Sequence, residues 1–298
     1  MVDESKLRVG VDVGGTKIAL GLVNPDNELI SDTPRFEVAP YKSGDALVEK
    51  LVDEIRQLIS DTGYGMDDMA GIGIGSPGPL DLDTGTILNT PNMPQMRNYP
   101  LRDSVAESSG LRAEINNDAN CFVLGEALAG EAKAGEIVIG VTLGTGFGFG
   151  IVFDGKIYTG ATGTAAEIAH CPYLDGYLEE GYISGRGLSM MYDRRTGENV
   201  EGLEISERAQ EGEDAALAAF AEFGEHLGRA FAWFVNILDP DFIVVGGSIA
   251  KNWEFFQESM HTMMYEYINP NPREHMQIVP SKLGERAAVF GSAGLIRI

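Results

Sequence analysis

The sequence contains 298 residues, 44% of them hydrophobic, which is long and apolar enough for two modest domains with buried cores. Its formal net charge of −23 gives a surface that repels the phosphate backbone of nucleic acid, so no DNA or RNA partner is expected. Two cysteines are too few for a disulfide framework, and the first residues lack the basic and apolar regions of a secretion signal, which predicts a cytoplasmic location.

The N-terminal part alternates predicted strands and helices. Residues 7–13 are typical of a buried strand, and a glycine turn joins them to a second strand at 18–23. A further strand is predicted to start at 28–30, and apolar residues at helical spacing predict a helix at 45–59. The pattern then predicts a strand at 70–74, rigid loops at 75–81 and 89–94, a helix at 101–109 and a strand at 113–115 that leads to Asn117 and Asp118.

The second half starts with a helix predicted at 119–132, with Asp118 as its N-terminal cap. A second glycine hairpin follows, with strands at 137–143 and 147–153. Because glycines interrupt this apolar run, no membrane-spanning segment and no membrane partner are expected. The remaining predicted elements are a long helix through 220–238, a strand at 242–245, a helix at 253–267, a strand at 276–279 and a helix at 287–296.

The two glycine hairpins share one layout. Residues 11–16 and 141–146 both place a glycine-rich turn after an apolar strand. This repetition indicates an internal duplication whose copies meet at 117–119. We therefore predict an N-terminal α/β domain over 1–117, with the C-terminal helix at 287–298 packed on it, and a larger C-terminal α/β domain over 118–286.

The glycine turns are candidate phosphate sites. Glycines let main-chain N–H groups approach phosphate oxygens, and Thr16 and Thr145 add hydroxyl donors. Each turn alone could equally be a structural hairpin, but two of them could clamp one polyphosphate. The P-loop pattern is absent, and the glycine series at 144–150 leads into a strand instead of the helix N-terminus that a dinucleotide fingerprint requires.

Six short motifs follow one another along the chain. They are DVGGTK at 12–17, NDAN at 117–120, LGTG at 143–146, EIAH at 167–170, SG at 184–185 and GG at 246–247. In this order they resemble the ROK family of sugar kinases, and the resemblance covers nearly the whole chain. It implies an α/β protein with the actin-like ATPase (ribonuclease H-like) fold, in which two duplicated α/β domains have a cleft between them.

The resemblance also implies an activity. ROK sugar kinases transfer the γ-phosphate of ATP to the 6-hydroxyl of a hexose, so ATP with Mg²⁺ and a hexose are the expected ligands. Glucose is the first expected substrate, and N-acetylglucosamine, N-acetylmannosamine and fructose are the alternatives. A homodimer is the oligomeric state that the family implies.

The resemblance assigns roles to individual residues. Asp118 is the expected general base for the sugar hydroxyl, and a plain helix cap is the alternative role for this residue. The residues expected to bind the sugar are Gly78, Asn92, Asn117, Asp118, Gly163, Glu167, His170 and Glu180, with Glu179 as the alternative to Glu180. The residues expected to bind the nucleotide are Asp12, Gly14, Gly15, Thr16, Lys17, Gly144, Thr145, Gly146, Gly246 and Gly247.

Two of the nucleotide residues have more specific expectations. By the same resemblance, Asp12 contacts phosphate-bound Mg²⁺ through water. Lys17 either neutralises phosphate charge or simply lies on the surface.

The chain departs from the family in one loop. Many members bind zinc through a histidine at the position of His170 and three cysteines after it, whereas this loop has only Cys171, and the other cysteine of the chain is Cys121. Structural zinc needs about four ligands, so none is expected. His170 then either binds sugar or is a packed core histidine, and the loop at 171–182 must be held by ordinary packing. Ala166 stands where the family has glycine.

Two other functional classes remain as alternatives. A sugar-sensing transcription regulator of the same family carries an N-terminal winged helix, whereas six residues precede the first strand here and the charge is unsuited to DNA. A non-enzymatic actin-like filament or chaperone ATPase leaves the motifs at 117–118 and 167–170 unexplained.

Overall fold

The structure is a computed structural model that describes residues 5–31, 33–90, 92–174 and 179–297, without the side chains of Glu179 and Arg297. Up to residue 134 the elements are β1 (Leu7–Val13), β2 (Lys17–Val23), β3 (Arg35–Glu37), α1 (Gly44–Asp61), β4 (Met69–Ser76), β5 (Leu80–Asp81), β6 (Thr86–Ile87), α2 (Leu101–Ser109), β7 (Ala113–Asn117) and α3 (Asp118–Ala129). From residue 135 they are β8 (Ile137–Leu143), β9 (Phe147–Phe153), β10 (Lys156–Ile157), α4 (Gly185–Thr196), α5 (Gly202–Gln210), α6 (Asp214–Leu238), β11 (Phe242–Gly246), α7 (Trp253–Tyr267), α8 (Pro270–His275), β12 (Gln277–Pro280) and α9 (Arg286–Gly294).

Most predicted elements are confirmed, and α2 and α7 begin and end at the predicted residues. The strand predicted at 28–30 is wrong, because Leu29 makes only an isolated bridge to Val23, and the edge strand β3 comes later. The side chain of Ser31 interrupts the ladder there, since its hydroxyl oxygen accepts a hydrogen bond from the Leu22 N–H at 3.0 Å. Helices α4, α5 and α8 were not predicted.

The chain forms two compact units. The first comprises residues 1–134, 155–165 and 283–298, and the second comprises residues 135–154 and 166–282. The sequence-based boundary at residue 117 assigns α3 to the second domain, whereas α3 lies in the first unit and packs against α9. Among the described residues, none of the helices combines the length and the apolar character needed to cross a membrane.

The sheets of the two units repeat one arrangement. In the first unit the strand order is β3-β2-β1-β4-β7, with β1, β4 and β7 parallel and β2 antiparallel to both of its neighbours. In the second unit β9, β8, β11 and β12 follow one another, with β9 antiparallel to β8 and the other three parallel. Each sheet therefore contains a hairpin whose first strand is continued by two parallel strands, as the internal duplication requires.

The first unit buries large side chains on one face of its sheet. Successive side chains of a strand point to opposite faces, so one face of β1 and β4 collects the branched residues. These pack with α1 and α2 in one cluster that includes Val9, Val11, Ile72, Leu51 and Val105.

The opposite face of the same sheet carries glycines. A β-carbon added at Gly10 would lie 2.0 Å from the carbonyl oxygen of Val289, and one added at Gly73 would lie 1.6 Å from that of Ser292. Both distances are far below van der Waals contact. Helix α9 therefore lies directly on the backbone of β1 and β4.

Helix α9 also crosses α3 at close range. A β-carbon added at Gly125 would lie 1.9 Å from the carbonyl oxygen of Ala287, and one at Gly291 would lie 1.7 Å from that of Cys121. The two helices meet backbone to backbone, because each presents a glycine at the crossing. This crossing holds α3, whose first residue is Asp118, next to the sheet.

The second unit has its core around α6 and α7. The inward face of α6 carries aromatic residues that are fully buried, including Phe220, Phe223 and Phe231. The ring of Phe223 packs edge-on against Phe256 of α7, with centroids 5.7 Å apart. Burial of these rings stabilises this unit.

We expect Gly291→Ala to lower the free energy of unfolding by about 2–3 kcal/mol, because the added methyl group would overlap the Cys121 carbonyl and separate α3 from α9. Urea denaturation of the purified protein measures this change. Gly65→Ala is the matched control, since a β-carbon there meets only Asp68 Oδ2, at 3.8 Å, and should change stability by less than about 0.5 kcal/mol. Equal stability of the two variants would contradict the close crossing.

Candidate active site

The parallel strands of the first sheet bring three predicted site residues to one edge. In the strand register, Asp12 of β1 lies opposite Gly75 of β4, and Gly75 lies opposite Asn116 of β7. Strand β7 ends at Asn117, and α3 begins at Asp118. Because parallel strands have their carboxyl ends at the same edge, Asp12, Asn117 and Asp118 lie at that edge together.

Helix α3 is capped by Asn117, so the prediction that Asp118 is the cap is wrong. The β4–β7 ladder reaches Asn117 and keeps its backbone extended, with φ −63° and ψ 145°. Its Oδ1 accepts hydrogen bonds from the N–H groups of Ala119 at 2.9 Å and Asn120 at 3.4 Å. Asp118 is the first helical residue, and its Oδ1 accepts from the Ala119 N–H at 2.8 Å. A carboxylate in this first turn is favoured by the helix dipole.

Asn116 is a residue of the turn before Asp118 that the motifs did not identify. It is buried, and its Oδ1 accepts hydrogen bonds from the Asn117 N–H at 2.8 Å and from Asn120 Nδ2 at 2.9 Å. These bonds clamp the turn between β7 and α3. Asparagines four positions apart across a predicted strand-to-helix junction are the signal that could have identified it.

Asp12 and Asp118 interact electrostatically. Asp12 lies on the same face of β1 as Gly10, which is the face that meets α9, and it is partly buried. Burial, followed by the negative charges of Asp118 and Glu285, raises the pKa of Asp12 to about 7, and Arg35 opposes the rise. A cation bound near Asp12 would relieve this repulsion and displace the proton.

The first glycine turn is tight and is backed by a side chain. The N–H of Gly14 donates to the carbonyl oxygen of Lys17 at 2.9 Å. A β-carbon added at Gly15 would lie 2.8 Å from Cβ of Asn92, so Asn92 packs against the turn. Thr16 and Lys17 are exposed at its tip. The structure thus places a predicted sugar residue beside predicted phosphate residues.

Gly78 and Gly163, the two glycines of the first unit that were predicted to bind the sugar, have different surroundings. A β-carbon at Gly78 would lie 3.5 Å from Nδ2 of Asn117, so the loop of Gly78 lies next to the Asn117 amide. The Thr90 hydroxyl donates to the Gly78 carbonyl at 3.2 Å and holds that loop. Gly163 has φ +80°, a left-handed conformation that favours glycine, and packs beside Leu82.

The second glycine turn lies at the start of α4. Its backbone closes through a hydrogen bond from the Gly144 N–H to the Gly146 carbonyl at 3.0 Å. The Gly185 N–H, at the first residue of α4, donates to the Gly144 carbonyl at 2.7 Å. Thr145 is exposed at the tip. Main-chain N–H groups of a turn and a helix N-terminus are donors suited to phosphate oxygens.

The end of β11 lies against the strand that leads into the same turn. Gly246 pairs with Thr142 of β8. Gly247 has φ +89°, and a β-carbon there would lie 2.2 Å from the carbonyl oxygen of Leu143. Only glycine is accommodated at this position, because the obstacle is backbone.

Glu180 lies against the second glycine turn. Its Oε1 accepts a hydrogen bond from the Phe147 N–H at 3.2 Å, and a β-carbon added at Gly146 would lie 2.6 Å from that oxygen. Its Oε2 accepts from Arg186 Nη2 at 3.0 Å. Glu180 therefore joins the turn to α4. The side chain of Glu179, the alternative sugar contact, lies outside the described part of the chain.

Glu167 and His170 lie at the two ends of a short 3₁₀ turn. Their side chains are 53% and 79% exposed, and Nδ1 of His170 is 4.0 Å from Oε2 of Glu167. The alternative of a packed core histidine is therefore wrong. Ala166, just before them, has φ +72°, a conformation that favours the glycine of the family. In the described part of the chain, no group of three or more His, Cys, Asp or Glu residues is placed to hold a metal ion.

We expect Asp12→Asn to stabilise the free protein at pH 8. The folded state keeps the Asp12 proton up to about pH 7, while the unfolded chain loses it near 3.8, so the contribution of this group to stability falls as pH rises from about 4 to 7. Urea unfolding without ligand should show a free energy of unfolding about 1–3 kcal/mol higher in the variant than in the wild type at pH 8. This range allows for the partial exposure of Asp12. The difference should disappear toward pH 4.

Asp26→Asn, at an exposed turn, is the control and should show no such pH-dependent difference. An Asp12→Asn variant that is less stable than the wild type at both pH values would contradict a destabilising charge at Asp12.

Residues 8–298 match the sequence model of the ROK family. The chain is 29% identical to the glucokinase of Thermotoga maritima, over 97% of this chain and 96% of that protein, and 32% identical to the N-acetyl-D-glucosamine kinase of Vibrio cholerae, over 96% and 98%. A ROK family glucokinase from Streptomyces griseus, solved with glucose and AMPPNP, matches with a TM-score of 0.77 and 30% identity over 98% of this chain and 99% of that chain. This structural relative has the actin-like ATPase fold, which confirms the predicted fold class. The chain belongs to the ROK family.

Proposed function

We propose that the protein is an ATP-dependent hexose kinase that transfers the γ-phosphate to the sugar 6-hydroxyl, with glucose as its first substrate. The observation that carries this proposal is the Asn117–Asp118 pair at the start of α3, at the sheet edge where Asp12 also lies. The family and the names of the relatives support the same reaction.

Asp118 acts as the general base in this proposal. Its carboxylate is held by the Ala119 N–H in the first turn of a helix, where the macrodipole stabilises the negative charge. The bonds of Asn116 and Asn117 fix the turn that carries it. A carboxylate positioned in this way can take the proton of the 6-hydroxyl as that oxygen attacks the phosphorus, which typically contributes about 10²- to 10⁴-fold in rate.

Amides and carboxylates provide sugar recognition. Asn117 and the neighbouring Gly78 loop supply polar groups in the first unit, and Glu167 and His170 supply exposed ones in the second. Each of these groups can bind hydroxyls and would be left without a partner by a sugar of the wrong stereochemistry, which is how such sites discriminate.

The glycine turns provide the nucleotide contacts. The main-chain N–H groups at Gly15 and Gly146, with the exposed hydroxyls of Thr16 and Thr145, are the proposed phosphate donors. Asp12 fits a role beside Mg²⁺ through water, because burial and the neighbouring carboxylates make its own charge costly without a cation. When bound, Mg²⁺ would neutralise charge on the phosphates.

The N-acetyl-D-glucosamine kinase of Vibrio cholerae, at 32% identity, supports a second candidate substrate. We expect a coupled ADP-release assay with glucose, N-acetylglucosamine, N-acetylmannosamine and fructose to give the highest kcat/KM for glucose. A higher value for N-acetylglucosamine would replace glucose as the substrate. Sugar binding without turnover of any hexose would overturn the kinase and favour a non-catalytic sugar-sensing regulator.

We expect Asp118→Ala to lower kcat by at least about 100-fold while sugar affinity changes by less than about ten-fold, because the base acts on the reacting proton more than on binding. Steady-state kinetics and calorimetric titration with sugar measure the two effects. Asp118→Asn is the matched variant, since its amide oxygen can keep the bond from the Ala119 N–H. Substantial activity in either variant would remove Asp118 from the role of base.

A further inference from the structure

Three aromatic residues of the second unit form a compact group, which we call the tyrosine–histidine cluster: Tyr173, Tyr182 and His226. The hydroxyl of Tyr173 lies 3.0 Å from Nδ1 of His226. The ring of Tyr182 packs against both partners, with centroids 4.5 Å from His226 and 5.2 Å from Tyr173. His226 belongs to the middle of α6 and is 6% exposed. The cluster therefore attaches two separate chain segments to one buried point of a long helix.

The hydrogen-bond direction in the cluster follows from its neighbours. Nη1 of Arg229 lies 3.4 Å from the same Nδ1 atom of His226, and a guanidinium can only donate. Nδ1 is therefore the acceptor, and the hydroxyl of Tyr173 donates to it. The imidazole is neutral at pH 7, because burial and the nearby positive charge of Arg229 lower its pKa to about 4.

The second ring nitrogen of His226, Nε2, also has a neighbour. The ring proton is left on Nε2, which lies 3.7 Å from Oε1 of Glu222, one turn earlier on α6. Glu222 in turn forms ion pairs with Arg194 and Arg195 of α4. The contacts of Tyr173 thus continue through α6 to α4.

The two tyrosines flank the candidate sugar contacts. Tyr173 follows His170 by three residues, and Tyr182 follows Glu180 by two. Backbone that is anchored two or three residues away has little freedom, so the cluster limits where both candidate contacts can lie.

We propose that the tyrosine–histidine cluster positions the sugar-binding segments, with Tyr173 and His226 as positioning residues that determine sugar affinity without touching the sugar. This proposal rests on the proposed hexose kinase function. The cluster provides the ordinary packing that the sequence predicts for this loop, and the bond from the Tyr173 hydroxyl to His226 is its specific element.

The test is Tyr173→Phe, which removes the hydroxyl and keeps the ring. We expect the sugar KM to rise about ten-fold, as loss of one partly buried hydrogen bond allows, while kcat and the ATP KM stay within about two-fold. Backbone hydrogen exchange of residues 168–174 should become faster by a similar factor. His226→Phe removes the same bond together with the Nε2 contact to Glu222, so its effects should be at least as large, and the double variant should add little to His226→Phe.

Tyr265→Phe is the matched control. Its ring lies 5.7 Å from that of His261 on α7, so it is a tyrosine–histidine pair of the same unit outside the cluster. It should leave the sugar KM and the exchange of residues 168–174 unchanged. The proposal is overturned by an unchanged sugar KM in Tyr173→Phe, by multiplicative effects in the double variant, or by an equal loss of ATP affinity.

Failure of the proposed function gives a different result. If the wild-type chain phosphorylates no sugar, the kinase assignment fails. The exchange measurement then tests only whether the cluster anchors residues 168–174. Faster exchange in Tyr173→Phe then supports the anchoring of the segment, and unchanged exchange overturns it.

Discussion

The first unit depends on the absence of side chains where α9 meets the sheet and α3. At Gly10 and Gly73 the helix lies on strand backbone, and at Gly125 and Gly291 two helices cross backbone to backbone. A β-carbon at any of these positions would overlap a carbonyl oxygen, which no change of rotamer can relieve. Because α3 starts at Asp118, this packing sets the position of the candidate base relative to the strand ends.

The same packing imposes an electrostatic cost. The face of β1 that meets α9 also carries Asp12, whose pKa rises to about 7 through burial and the charge of Asp118. Such a residue destabilises the free protein at neutral pH and suits a site that takes up a cation. The carboxylate of Asp12 therefore lowers the stability of the free protein, whereas the proposed activity requires it. Such a trade-off is common at catalytic sites.

The duplicated hairpins show how one backbone element acquires different supports. The side chain of Asn92 packs against the turn of the first copy. The turn of the second copy is hydrogen-bonded to Gly185, and Glu180 accepts a hydrogen bond from the Phe147 N–H just after it. In the second unit the segments around the candidate sugar residues also depend on α6, through Tyr173 and His226. The repeated strands provide the framework, and residues outside the repeat distinguish the two copies.

The sequence by itself determined the elements whose signals are local. Apolar strands and glycine turns predicted both hairpins, helical periodicity predicted α1 and much of α6, and the order of six short motifs identified the family. These signals depend on residues within a few positions of one another, so they can be recognised without knowledge of the fold. The sequence also indicated Asp118 as the candidate base, a role that remains a proposal.

Tertiary structure alone decided which side chains meet and which are exposed. Both Asn117 and Asp118 can cap a helix, and the choice of Asn117 follows from the ladder with β4, which keeps that residue extended. The exposure of His170 and the contact of Tyr173 with His226, 53 residues away, likewise depend on long-range packing. Burial, pKa and side-chain partners arise from residues that are distant in sequence, and local patterns carry no information about them.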